Sequence, residues 1–209
     1  MIEMAHDGLA DQDPAAVWCL KVHRRIRGDS PNSRFISTFR DPRDAIVSYM
    51  RFTRCDFDRA LAEAESWTEL CDHYRSLPSD IALSLDYDEI DSAPATVAGR
   101  MVDFLGLEVK PGTVATIVSE FAREGVRRRI DAMQEDVKQR HASGEKGVVD
   151  SLVANADGTI RALDRETGFQ SHHVSDYKSG GWRSTLSAAG IDRLHGALGG
   201  WLTQNGYEL

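Results

Sequence analysis

Arg34–Phe52, RFISTFRDPRDAIVSYMRF, reads as a strand, a sharp corner and a helix. Phe35, Ile36, Thr38 and Phe39 are strand formers, and Arg40 stands where the strand ends. Asp41 is suited to cap the next helix and Pro42 to open it. Asp44, three residues after the cap, adds an acidic first turn. Ile46, Val47 and Met50 give the helix one apolar face. The corner therefore presents Arg40 and a helix N-terminus at the carboxyl end of a strand. In open α/β sheets that is where ligands, phosphorylated ones above all, are bound. The plainer reading is a generic strand–helix corner that Arg40 and Arg43 merely solvate.

Outward from this corner the chain is basic. Between Leu20 and Arg54 nine basic residues face three acids, a local balance of +6 within a chain of net charge −8. An acidic protein with one basic zone suits a small anion better than a nucleic acid or a membrane surface. At 209 residues the chain is long enough for a single domain with a real core. No run approaches the ~20 apolar residues of a membrane span. Residues 1–14 have neither the basic start nor the apolar centre of a signal peptide. Cys19, Cys55 and Cys71 lack metal-type spacing and fit reduced thiols, so a cytoplasmic protein is expected.

Two further strands are expected: Ala15–Val22, with Lys21 and His23 near its carboxyl end, and Ile81–Tyr87. Helices are expected over Arg59–Leu77, Ala93–Leu105, within Thr113–Ala132 and over Ala188–Asn205. The last carries Ile191, Leu194, Leu198, Trp201 and Leu202 on one face. Residues 134–170 read as loop-like and mobile, because apolar residues thin out there. Strands alternating with helices define an α/β fold with a parallel sheet flanked by helices. Three strands are few for such a sheet.

These pieces resemble, in order, the family of sulfotransferases that use 3′-phosphoadenosine 5′-phosphosulfate (PAPS). FRDPRDAIVSYMRF is similar to that family's 3′-phosphate-binding segment. WCLKVH is similar to its Lys-Thr-His strand end. SLDYDEI followed by MVDFLGL is similar to its Tyr-Glu-Asp-Leu turn and Phe-Leu-Gly helix end. SGGWRSTLS is similar to its late Gly-x-Trp segment. The likeness runs from about residue 15 to 207 and implies a P-loop NTPase-like sulfotransferase fold. By resemblance His23 is the catalytic base and Lys21 assists the transferring group. Arg40 and Ser48 hold the 3′-phosphate, and Tyr87, Ser119 and Phe121 are candidates for the adenine. PAPS is the implied sulfuryl donor, with no metal required. The implied acceptor is a hydroxyl or amine on a small molecule or carbohydrate.

Two departures stand out. The family's phosphosulfate-binding loop, Pro-Lys/Arg-Ser/Thr-Gly-Thr/Ser, has no match, and Ser143–Gly147 follows no strand. The expectation is an N-terminally incomplete domain, weak or inactive as given. Such a domain could also associate with a second copy through an exposed sheet edge. The late segment, moreover, places Ser175 and Tyr177 where relatives have Arg and Gly, with Lys178 and Arg183 as stand-ins. Two rival classes remain in view. One is a non-catalytic relative that binds 3′-phosphoadenosine nucleotides or a protein partner. The other is a P-loop nucleotide kinase, which would need a Walker-type loop and Mg²⁺.

Overall fold

A computed structural model describes residues 25, 33–145, 147–164, 168–171, 174 and 177–209. The strand expected over Ala15–Val22, and with it Lys21 and His23, lies outside the described residues, as does Ser175.

The opening stretch folds as its local chemistry dictates. Strand β1, Phe35–Phe39, pairs in parallel with β2, Ala82–Asp86, in the register Phe35↔Ala82 through Phe39↔Asp86. The Ser37 and Ser84 hydroxyls meet at 3.0 Å on one face of the pair. Helix α1, Pro42–Thr53, starts at Asp41, whose carboxylate accepts from the Arg43 amide at 2.9 Å. Arg43 does not solvate the corner. It is 2% exposed. Three hydrogen bonds to the Asp41 carboxylate hold its guanidinium. The same group packs 4.3 Å over the Trp182 ring and reaches the Glu208 carbonyl. A buried arginine is tolerated when its charge and its donors are matched in this way.

Helix α2, Phe57–Arg75, begins two residues earlier than its periodicity suggests, because Asp56 caps it by accepting from the Arg59 amide. Its fully buried residues are Ala60 and Ala64, not the larger Trp67 and Leu70. These alanines let α8, Ala188–Gln204, come close. Ile46, Leu194, Leu198 and Leu202 complete this main core, each at most 3% exposed. A search for large apolar residues at helical spacing misses a seam built on small ones.

After β2 come α3, Tyr87–Ser92, and α4, Pro94–Leu105. The helical region expected over Thr113–Ala132 is two helices, α5 (Thr113–Phe121) and α6 (Arg123–Ala142), broken where Ala122 turns extended. Residues 134–170 carry more structure than their composition suggests. Helix α6 runs on to Ala142, and a 3₁₀ turn, Val148–Ser151, leads into an antiparallel hairpin of β3 (Leu152–Ala154) and β4 (Ile160–Ala162). Val137, Val148 and Ala162 form a small second core beneath it. The hairpin turn docks on the end of α1: the Ala156 amide donates to the Thr53 carbonyl at 2.9 Å, and Arg161 lies 4.4 Å over Phe52. The last helical segments are α7, Trp182–Thr185, and α8. Among the described residues no helix is long and apolar enough to cross a membrane.

Candidate anion-binding site at the strand ends

Register alone brings the first two site residues together. Phe39 pairs with Asp86, so the residues that follow the two strands, Arg40 and Tyr87, emerge side by side at the carboxyl ends. The Arg40 guanidinium lies 5.0 Å over the Tyr87 ring. Its Nη2 donates to the Asp44 carbonyl at 2.5 Å. Its Nε is buried and has no hydrogen-bond partner among the described residues. No carboxylate pairs with Arg40 among the described residues. A buried guanidinium N–H without an acceptor costs free energy, and an anion at the corner would supply that acceptor. Ser48, eight residues along on α1, is half-buried, and its hydroxyl makes no hydrogen bond among the described residues.

Across this corner runs the late loop, and Asp44 holds it. The sequence suggests only an acidic first turn at Asp44, but the side chain is 3% exposed. Its carboxylate accepts from the Tyr177 hydroxyl at 2.6 Å, the Gly180 amide at 2.6 Å and the Trp182 amide at 3.2 Å. On the other strand, the Ser179 hydroxyl donates to the Asp88 carboxylate at the start of α3. The loop is thus pinned to the helices that follow both parallel strands. Trp182 is 4% exposed, with Arg43 and Arg183 both 4.3 Å over its ring. Burial, and then the Asp44 carboxylate, push the Tyr177 phenol well above the ordinary tyrosine range, so it is a neutral donor.

Two glycines shape this loop. Gly180 has φ +80°, the left-handed backbone from which its amide reaches Asp44. At Gly181 a Cβ would meet the Lys178 carbonyl and the Tyr177 ring, each at 2.9 Å. We expect Gly181→Ala to push Tyr177 off Asp44 and to cost roughly 1–3 kcal/mol, the usual penalty of overpacking. A urea titration checks this, and an unchanged midpoint would refute the contact.

Ser119 and Phe121 stand apart from this group. Both are on α5. Ser119 is exposed, and Phe121 is 49% exposed beneath Arg129, whose guanidinium lies 4.7 Å over its ring. No contact joins either to Arg40 or Tyr87 among the described residues. An Arg123–Asp91 ion pair at 3.3 Å links the start of α6 to α3.

Fold and corner together define an α/β protein with an arginine and two helix starts at the carboxyl ends of its parallel strands. Comparison with known proteins narrows that class. Residues 3–111 match the model of the sulfotransferase family. The chain belongs to this family. Among solved structures it is similar to a retinol dehydratase in complex with androsterone and the inactive cofactor PAP. The TM-score is 0.54 at 16% identity, covering 84% of this chain and 48% of that one. Another structure of retinol dehydratase, with retinol and PAP, gives 0.53 at 17% identity, covering 84% and 49%. The mouse sulfotransferase SULT7A1 complexed with PAP gives 0.50 at 14% identity, covering 79% and 58%. At these identities the likeness is one of fold. The chain spans about half the length of the solved structures it matches. No curated protein sequence matches it.

Proposed function

We propose that this chain binds 3′-phosphoadenosine nucleotides at the carboxyl ends of β1 and β2 and takes part in sulfuryl transfer from PAPS. The observation that carries this reading is the state of Arg40. Its guanidinium is held by a carbonyl and an aromatic ring, and among the described residues it has no carboxylate partner and its buried Nε has no acceptor. Arginine suits a phosphate because its planar fork can donate to two oxygens at once. The PAP named in the neighbouring complexes supports the same ligand class.

In this reading Arg40 and Ser48 take the 3′-phosphate. Tyr87 lines the adenine side, and Ser119 and Phe121 on α5 are further candidates for that side. When bound, PAPS supplies the sulfuryl group, which leaves its phosphate oxygen for the acceptor. His23 is assigned the acceptor's proton, and Lys21 steadies charge on the transferring group. Both assignments rest on sequence position. The acceptor class is a hydroxyl or amine of a small molecule or carbohydrate. Retinol and androsterone, named in the neighbouring complexes, are small molecules of that kind.

The test is transfer of labelled sulfate from PAPS to a panel of such acceptors. His23→Ala should lower turnover by about 10²–10⁴-fold, the usual contribution of a positioned base. Nucleotide binding without any turnover would favour the non-catalytic member of the family. Turnover untouched by His23→Ala would remove His23 from the chemistry.

A further inference from the structure

We infer that Arg51 is a second phosphate-binding guanidinium of this corner, so that both cations gripping the anion come from the β1–α1 segment. The inference rests on reading the corner as a 3′-phosphoadenosine site, and it names a residue that neither the sequence motifs nor the family likeness assigns.

Arg51 lies three residues beyond Ser48 and seven beyond Asp44, on the same face of α1. Three helical residues advance the axis by about 4.5 Å, well within the reach of an arginine side chain. The Arg51 guanidinium sits 5.0 Å over the Tyr177 ring. The hydroxyl of the same ring is bound to Asp44. Tyr177 therefore lies along this face from Arg51 to Asp44, and Ser48 falls between them in the helix.

The charges support a ligand here. Arg51 is exposed, and no carboxylate pairs with it among the described residues. Arg40 is in the same condition. Both guanidinium groups act on the Tyr177 hydroxyl, each favouring its ionised form against the larger effects of burial and Asp44. Two cations near one hydroxyl share the single Asp44 carboxylate, and that carboxylate is already taken up by three loop donors. A phosphate monoester dianion between them would accept from both.

Of the late-loop cations, Arg183 is turned onto Trp182. Tyr177, in the same loop, supports Arg51 through its ring.

Calorimetric titration of the whole chain with 3′-phosphoadenosine 5′-phosphate and with adenosine 5′-monophosphate, which lacks the 3′-phosphate, tests this. Arg51→Gln should weaken the first by about tenfold to a hundredfold, the range for losing charged hydrogen bonds. It should leave the second unchanged. Arg51→Lys, which keeps the charge, should recover part of the loss. Thermal melts should coincide, since Arg51 is exposed. Wild-type affinity in Arg51→Gln, or an equal loss for both nucleotides, would overturn the inference and leave the nucleotide site standing. No binding of 3′-phosphoadenosine 5′-phosphate by the wild type would overturn both.

Discussion

Asp44→Ala should be the most damaging single substitution in the described part of the chain. The carboxylate is 3% exposed and satisfies three donors of the late loop, two of them backbone amides. Removing it leaves those donors without an acceptor, in a place where water does not reach the Trp182 amide. Each buried donor left without its acceptor typically costs about 1–3 kcal/mol, and three lose theirs together. That is a large share of the ~5–15 kcal/mol stability of an ordinary domain. Urea unfolding should show the loss. Asp44→Asn, which keeps an acceptor oxygen in the same place, should recover part of it. The loop should also become accessible: hydrogen exchange at the Gly180 and Trp182 amides should rise sharply in the alanine variant. A midpoint within experimental error of the wild type would mean that the loop is held by something other than Asp44.

Arg40→Gln should have the largest effect on binding and little effect on folding. Its Nη2 bond goes to a helix carbonyl, and its stacking on Tyr87 is partly exposed. Losing both should cost about 1 kcal/mol of stability. For a phosphate held by this guanidinium, truncation leaves an anion without its main partner. Comparable charged pairs lose about 2–5 kcal/mol when one member is removed, which is roughly 30-fold to 4,000-fold in affinity. Affinity for 3′-phosphoadenosine 5′-phosphate should fall by that factor while the melting curve hardly moves. Equal affinity in the variant and the wild type would place the phosphate elsewhere.

How much of this could be read from residues alone depends on how local each cause is. The corner was legible because its causes are local: strand formers, Asp41 as cap and Pro42 at the first helical position sit within eight residues. The α8 face was legible because Leu194, Leu198 and Leu202 recur at helical spacing. Arg43 was misread because its burial depends on Trp182, Tyr207 and the Glu208 carbonyl, all far along the chain. The role of Asp44 was hidden for the same reason. The clue that existed was a pair of glycines just before a tryptophan, a backbone free to approach something closely. The hairpin of β3 and β4 escaped because three-residue strands are too short to show an alternation.

These readings change what the corner is. Asp44 ties the late loop to α1, its carbonyl holds Arg40, and Tyr87 steadies the same guanidinium from the start of α3. Arg40 and the late loop are therefore both held by the first turn of α1. We propose this corner as a nucleotide 3′-phosphate site. The most direct measurement is calorimetric titration of the wild-type chain with 3′-phosphoadenosine 5′-phosphate alongside adenosine 5′-monophosphate. Saturable binding of the first, clearly tighter than the second and weakened by salt, is the expected result. Equal affinity for the two, or no heat with either, would contradict it.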